Sequence, residues 1–268
     1  MEIRWKISPG EARRVRDLVR DRRNDAFVLD RVRQNVRGHR PPITRTTVWH
    51  MLTMCLLTTQ QRSGPDSPVN RLLGARPYPL RISEVERHRD PAAYVARVLR
   101  GRRGIRRGVT IGRQLAENLP MFSGPAWREL GALLKTLQSN HGYRQERRVS
   151  EYLAANFAGL GPKQSRNLLQ SLALTRYEIP IDSRITRWLN ESGFPVHLSA
   201  VALSDPAYYD FVGDGVRALC QSARVYPCVF DAVIFSMTDE SGWEKKMWWA
   251  RKAAEARSDD GSIRRFRR

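Results

Sequence analysis

Lys163 and Asp182 are the two side chains whose types and setting point most directly to chemistry. Lys163 follows a glycine-rich turn, and Asp182 comes nineteen residues later, where an extended link leads into a helical pattern. An amine can attack carbon and form a covalent intermediate, and a carboxylate can stabilise positive charge. Each residue also has an ordinary interpretation, because lysine is common in an exposed first turn and aspartate is a frequent helix N-cap.

The balance of arginine over lysine makes Lys163 conspicuous. Only six of the 47 basic residues are lysine, and an arginine-rich codon usage explains that bias. Arginine is therefore the usual basic residue of this chain, and each position that holds lysine is an exception. A guanidinium stays protonated and is a poor nucleophile, so arginine could not replace lysine where an amine must react. This argues against Lys163 being only another phosphate contact.

The composition indicates a globular protein that binds a polyanion. The chain has 268 residues, 41% of them hydrophobic, which suffices for one large domain or two lobes sharing a core. A net charge of +20 attracts nucleic acid, an anionic membrane or an acidic protein. The longest apolar run, Val48–Leu57, is too short to cross a bilayer, and the densely charged Met1–Arg40 does not resemble a signal peptide.

The three cysteines, Cys55, Cys220 and Cys228, are widely spaced and form no close ligand set. We therefore expect no zinc site and no iron–sulfur cluster. An odd number of scattered cysteines also favours a reducing, cytoplasmic setting.

The positive charge is concentrated between Arg97 and Arg113. This segment holds seven arginines, four glycines and no acidic residue. Glycine lets the backbone approach a ligand closely, and arginine contacts phosphate. The candidate phosphate-binding residues are Arg102, Arg103, Arg106 and Arg107. The first forty residues mix basic and acidic side chains, as a solvated helix face does.

The apolar periodicity is helical nearly throughout, which predicts an all-α protein. We expect no strand series and no internal repeat, and an extended segment only at Tyr177–Ile181. The predicted helices cover residues 8–21, 47–60, 91–99, 105–119, 125–137 and 145–157, with a short helix from Ser67 and apolar stripes over 229–237 and 243–254.

Residues Gly159, Leu160 and Gly161 predict a tight turn between two helices, because glycine adopts positive φ without a Cβ clash. Leu160 would pack between the helices and Pro162 would occupy the first turn of the second one. The unpaired N–H groups of that turn would face a phosphate, as in a hairpin that grips a DNA backbone without reading sequence. An ordinary helix–turn–helix connection is the alternative.

The stretch Phe157–Leu189 resembles the helix-hairpin-helix (HhH-GPD) DNA glycosylase superfamily, and most of all its compact 8-oxoguanine glycosylase/AP lyases. The resemblance rests on the glycine hairpin followed by Lys163, with Asp182 opening the next helix. A weaker similarity extends upstream to Leu56–Gln61 and downstream to Cys228–Phe235.

This resemblance implies an all-α unit of two helical lobes, with the hairpin motif at the cleft between them. One lobe would comprise about 1–45 and 185–268, and the other about 46–184, including the hairpin motif at 145–174. The length leaves no room for the extra β-domain of larger oxoguanine enzymes.

The resemblance also implies roles for individual residues. Lys163 would attack the sugar carbon and form a Schiff base, and Asp182 would stabilise the positive charge that the departing base leaves behind. Gln60 or Gln61 would fill the gap left by the extruded base. The candidates for stacking on that base are Trp49, Trp248 and Trp249, although tryptophan in a helix more often belongs to the core.

The expected partner is double-stranded DNA that contains a damaged base, bound by a monomeric, cytoplasmic, nucleoid-associated protein of a prokaryote. No cofactor is expected, and the resemblance allows for a monovalent cation at the hairpin. Two alternatives remain open: a glycosylase for another lesion, such as an alkylated purine or mismatched thymine or uracil, and a non-catalytic DNA-binding protein. A phosphate clamp needs the glycines and basic residues but no Asp182.

Overall fold

A computed structural model describes residues 4–61, 64, 66–139 and 142–238. Within these residues there are thirteen α-helices and no β-strand, so the predicted all-α class is confirmed. The helices are α1 (Pro9–Asp21), α2 (Ala26–Arg31), α3 (Arg45–Leu57), α4 (Pro68–Leu73), α5 (Ile82–Val85), α6 (Pro91–Arg100), α7 (Gly108–Asn118), α8 (Gly124–Ser139), α9 (Tyr143–Asn156), α10 (Pro162–Ser171), α11 (Ser183–Glu191), α12 (Pro206–Ala223) and α13 (Pro227–Thr238).

The described residues form two compact units. Unit 1 comprises 4–40, 136–156 and 160–238, and unit 2 comprises 41–135 with 157–159. These boundaries differ from the predicted lobes, because α9 and α10 group with the N-terminal and C-terminal segments and not with 46–135. Buried hydrogen bonds explain this grouping. Glu146 of α9 binds Thr175, and Arg166 of α10 binds Glu178 and Asp210, all of which belong to unit 1.

The core of unit 1 lies where α1, α11, α12 and α13 meet. Helix α1 begins with a capping box, in which the Ser8 hydroxyl accepts from the Glu11 N–H and the Glu11 carboxylate accepts from the Ser8 N–H. Its Val15 is fully buried, and the apolar stripe predicted over 229–237 contributes Phe230 and Val233 to the same core. The stripe is therefore confirmed as a packing surface over 229–234, whereas Met237 at its end is exposed.

Unit 2 is built on α3, which is buried on nearly all sides. Every residue from Val48 to Leu57 except His50 is buried, as the unbroken apolar run predicts. Because a helix that is apolar all round must lie inside a core, α3 is the central element of this unit.

Helices α6 and α7 pack with their backbones in near contact. A Cβ on Gly112 would lie 2.5 Å from the Ala92 carbonyl oxygen, and one on Gly108 would lie 3.1 Å from the Leu99 Cβ. The helix predicted from Ile105 instead begins at Gly108, because Arg107 adopts the left-handed conformation (φ +62°). Residues 101–107 therefore form a loop between the two helices.

No single helix of the described residues is long and apolar enough to cross a membrane. Helices α12 and α13 reach that length and composition only together, as a pair bent by 96°.

Candidate functional site

The sequence predicts that both glycines of the turn between α9 and α10 are required for its geometry. The structure confirms this requirement for the first glycine only. Gly159 has a φ of +83°, and a Cβ there would lie 2.6 Å from Leu56 Cδ2 and 2.7 Å from the side chain of Gln114. Leu160 is buried. Gly161, in contrast, has an ordinary φ of −86°, and no atom of the described residues lies within 4 Å of a Cβ added there. The space beside Gly161 is open to a ligand.

Lys163 is the second residue of α10, immediately after Pro162. Its side chain is half-buried, and it makes no hydrogen bond or ion pair with any residue that the structure describes. The amine stands in the first turn of a helix, where N–H groups lack intrahelical partners and favour an anion. This placement leaves the Lys163 nitrogen free to react or to contact a phosphate.

Asp182 caps α11, as its ordinary interpretation predicts. One carboxylate oxygen, Oδ1, accepts from the backbone N–H groups of Arg184 at 2.9 Å and Ile185 at 3.1 Å. The other, Oδ2, accepts from Nε and Nη2 of the Arg184 side chain, at 2.8 and 2.5 Å. The Arg184 guanidinium also lies over the Phe235 ring, 4.1 Å from its centroid. Oδ1 therefore caps the helix. The Arg184 side chain binds Oδ2 and so fixes the orientation of the carboxylate.

The link from α10 to α11 is held by a buried carboxylate of α9 that the sequence analysis missed. Glu146 is fully buried and accepts hydrogen bonds from the Thr175 hydroxyl (2.5 Å) and from the backbone N–H groups of Arg176 (2.9 Å), Tyr177 (2.8 Å) and Glu178 (2.9 Å). Burial raises the pKa of Glu146, and these four donors partly oppose that rise. An acidic residue inside a helix gives no sequence signal for this role.

A second buried carboxylate, Glu178, joins the same link to α10. Its Oε2 accepts from Arg166 Nε at 2.6 Å, and its Oε1 accepts from Arg147 at 3.2 Å. The Arg166 guanidinium also donates to the Pro162 carbonyl at 3.0 Å and to Asp210 at 2.6 Å. Arg166 therefore connects the turn that carries Lys163 to the link that carries Asp182.

Asp231 of α13 is a further carboxyl group near Asp182. It accepts from Gln170 Nε2 at 2.7 Å and lies 3.7 Å from the Arg31 guanidinium. Burial raises the pKa of Asp231 to about 6, with Arg31 opposing the rise and the charge of Asp182 adding to it. Perturbed carboxyl groups of this kind occur both at functional sites and in buried ion-pair networks. In the sequence, the signal that could have identified Asp231 is its position as an acidic residue within the apolar stripe of 229–237.

The two candidate plug residues differ in their surroundings. Gln60 is exposed and has a φ of +56°, so it projects from the turn that ends α3. Gln61 is held in place, because its Oε1 accepts from the Arg106 N–H at 2.8 Å and its Nε2 donates to the Leu57 carbonyl at 2.5 Å. Of the pair, Gln60 is therefore the side chain that is exposed and makes no hydrogen bond with the described residues.

The four predicted phosphate-binding arginines lie in the loop between α6 and α7 or at its end. Arg102, Arg103 and Arg106 are exposed, and Arg107 is half-buried. The hydrogen bond from the Arg106 N–H to Gln61 ties this loop to the turn that carries Gln60.

The prediction that Trp49 stacks on a flipped base is wrong. Trp49 is fully buried in unit 2, where its indole N–H donates to the Leu80 carbonyl at 2.8 Å and its ring packs edge-on against Phe122. Its polar atom is satisfied inside the core, as the alternative interpretation of a helical tryptophan expects. Trp248 and Trp249 lie outside the described residues.

No three His, Cys, Asp or Glu side chains come together as metal ligands in the part of the chain that the structure describes. Cys55, Cys220 and Cys228 form no disulfide bond among the described residues, and all three are buried.

One solved structure shares the arrangement of this chain. The crystal structure of the 8-oxoguanine DNA glycosylase of Thermotoga maritima superposes with a TM-score of 0.63, over 85% of this chain and 97% of that one, at 18% sequence identity. The chain therefore shares the all-α fold of that protein. No protein-family model and no curated protein matches the chain by sequence.

The two hairpin glycines should respond differently to alanine. Gly159→Ala forces a left-handed alanine against Leu56 and Gln114, so we expect a loss of about 2 kcal/mol in the free energy of unfolding, measured by urea denaturation. Gly161→Ala should change stability by less than about 0.5 kcal/mol. Its methyl group should fit into the open space without displacing a neighbour. Equal destabilisation by both variants would contradict this assignment.

The carboxyl group of Asp231 should make stability depend on pH. Its raised pKa means that the folded protein holds this proton more tightly than the unfolded chain does. That stabilisation is complete below about pH 4 and is lost as pH rises through about 6. The melting temperature of Asp231→Asn should therefore rise relative to wild type between pH 4 and 7, by the equivalent of at most about 3 kcal/mol. A difference that is constant with pH would contradict the raised pKa.

Proposed function

We propose that this protein is a DNA glycosylase that excises a damaged base, with 8-oxoguanine as the first candidate, and cleaves the resulting abasic site as a lyase. The observation that carries the proposal is the glycosylase fold, with Lys163 in the first turn after the glycine hairpin and Asp182 at the start of the next helix. Both residues belong to unit 1, and Arg166 connects the elements that carry them.

The proposed chemistry begins with attack on the sugar. The Lys163 nitrogen forms a bond to C1′ while the bond from C1′ to the base breaks, and the base leaves with its electron pair and takes up a proton. The carboxylate of Asp182 stabilises the positive charge that develops on the sugar during this step. The attached nitrogen then loses a proton and forms a C1′=N double bond while the C1′–O4′ bond breaks and O4′ takes up a proton, which gives a ring-opened Schiff base. Loss of a proton from C2′ then forms a C2′=C3′ double bond and breaks the C3′–O3′ bond, so that the 3′ phosphate leaves.

Lys163 suits this chemistry because no described residue pairs with its amine. Asp182 suits it because Arg184 and two backbone N–H groups fix the orientation of its carboxylate before substrate arrives. A preorganised charge costs no rearrangement at the moment of reaction. A DNA-binding hairpin without catalysis could use the unpaired amine to contact a phosphate, but it would not need the oriented carboxylate.

Two hydrogen-bond acceptors near Asp182 support a guanine-type base as substrate. Asp231 offers a carboxyl group, and the Oε1 atom of Gln170 is buried without a hydrogen-bond partner among the described residues. A buried acceptor left unpaired costs free energy, so a ligand that donates to it gains affinity. The Watson–Crick edge of 8-oxoguanine presents adjacent N–H donors, as guanine does.

The DNA backbone would be held without sequence reading. The open N-terminal turn of α10 at Gly161 would receive one phosphate, and the exposed Arg102, Arg103 and Arg106 would contact others. Gln60 would enter the stack in place of the flipped base. The substrate is then duplex DNA, and binding should weaken steeply as salt concentration rises.

Borohydride trapping tests the lyase chemistry directly. Wild-type protein incubated with duplexes carrying 8-oxoguanine, alkylated purine, uracil or mismatched thymine should form a covalent adduct on at least one of them, with 8-oxoguanine the expected substrate. Lys163→Gln should form none, because a carboxamide cannot make a Schiff base. Lys135→Gln, which changes an exposed lysine on α8, is the matched control and should trap like wild type.

The same panel separates the alternatives. Release of a different base would keep the enzyme class and change the substrate. Duplex binding without base release or adduct on any lesion would exclude both enzyme functions and favour a DNA clamp. An adduct that persists in Lys163→Gln would remove Lys163 from the proposed role.

Asp182→Asn should separate capping from catalysis. Asparagine caps a helix as well as aspartate does, so stability should stay within about 1 kcal/mol of wild type. Base release in single-turnover assays should slow by about 100-fold or more, because the charge that opposes the sugar cation is gone. Duplex affinity should remain close to wild type. Release at the wild-type rate would leave Asp182 with its capping role alone.

A further inference from the structure

We propose that Tyr209 is a positioning residue that fixes the carboxylate of Asp182 relative to the amine of Lys163. This inference rests on the proposed function and adds to it a residue of α12, on an element that carries neither reacting group.

The Tyr209 hydroxyl holds the residue immediately before Asp182. It accepts from the Ile181 N–H at 2.6 Å and donates to the Ile179 carbonyl at 3.0 Å. Tyr209 is 1% exposed, so no solvent can replace these bonds, and burial raises its pKa, which keeps the hydroxyl protonated as a donor. One hydroxyl group thus satisfies one backbone N–H and one backbone carbonyl within the last three residues of the link.

The Tyr209 ring connects this hydroxyl to the turn of Lys163. The Arg166 guanidinium lies over the ring, 4.6 Å from its centroid, and donates to the carbonyl of Pro162, the residue before Lys163. The same guanidinium binds Glu178 in the link. Tyr209 and Arg166 therefore form one rigid connection between the residue before the amine and the residue before the carboxylate.

Removal of the hydroxyl should move Asp182 without removing any catalytic atom. In Tyr209→Phe the ring and its contact with Arg166 remain, but the Ile181 N–H and the Ile179 carbonyl lose their common partner. The link must then shift to find other partners, because buried backbone groups are rarely left unpaired. Displacing a catalytic group by a fraction of an ångström to an ångström is enough to slow a reaction substantially.

The experiment compares three measurements on Tyr209→Phe: single-turnover base release, duplex affinity, and borohydride trapping on a duplex that already contains an abasic site. We expect base release to slow by about 10-fold. Affinity and trapping should stay within about 2-fold of wild type, because DNA contacts and the Lys163 turn are unchanged. Tyr208→Phe is the matched control, since the Tyr208 hydroxyl has no hydrogen bond among the described residues, and it should match wild type in all three measurements.

A double-mutant cycle distinguishes positioning from general destabilisation. If Tyr209 acts through Asp182, then Tyr209→Phe should slow base release only when the carboxylate is present. In an Asp182→Asn background the same substitution should therefore leave the residual rate unchanged within about 2-fold. A role in the fold as a whole would lower the rate by the same factor in both backgrounds, which would overturn the inference.

The remaining outcomes are also decisive. Base release by Tyr209→Phe at the wild-type rate would overturn this inference while leaving the proposed function intact. If Tyr209→Phe is unfolded, or if it loses base release, duplex affinity and trapping to the same extent, this inference is likewise overturned. A wild-type protein that neither releases a base nor traps on abasic DNA would overturn the proposed function, and this inference with it.

Discussion

The structure of unit 1 depends on two buried carboxylates, Glu146 and Glu178. Moving a carboxylate out of water is costly, and it is tolerated only where donors surround the charge. Glu146 has four donors from the link between α10 and α11, and Glu178 has the guanidinium groups of Arg166 and Arg147. An irregular segment of backbone can therefore be buried with its polar groups satisfied. That segment ends at Asp182, so the position of the proposed catalytic carboxylate follows from these interactions.

Arginine serves two separate purposes in this protein. Arg147 and Arg166 are largely buried, and they hold α9, α10, α12 and the link in one arrangement. Buried ion pairs contribute little net stability, but the planar guanidinium restricts the geometry of the groups that it joins. The exposed arginines of the loop between α6 and α7 remain available to a polyanion. The number of arginines thus describes the ligand only in part, because some of them neutralise buried acids.

Small residues decide where other surfaces can approach. Gly112 allows α6 and α7 to pack with their backbones nearly in contact, which supports the loop of exposed arginines. Gly159 permits the left-handed turn that places Leu56 and Gln114 against the hairpin. Gly161 is different, because neither its φ nor its described neighbours require glycine. The open space beside it indicates that glycine leaves room for a ligand there, and that packing does not require it.

The sequence by itself determined the helical class, the central buried helix α3, the glycine turn and the placement of Lys163 and Asp182 at helix starts. These features follow from periodicity and local backbone preference, which act over a few residues. Only the tertiary structure decided that Trp49 is a core residue, that α7 begins at Gly108, and that Gln60 rather than Gln61 is free. It also revealed Glu146, Tyr209 and Asp231, whose hydrogen-bond partners lie between 28 and 61 residues away in sequence. Their roles depend on burial and on long-range hydrogen bonds, and no local pattern encodes which distant group a polar side chain will meet.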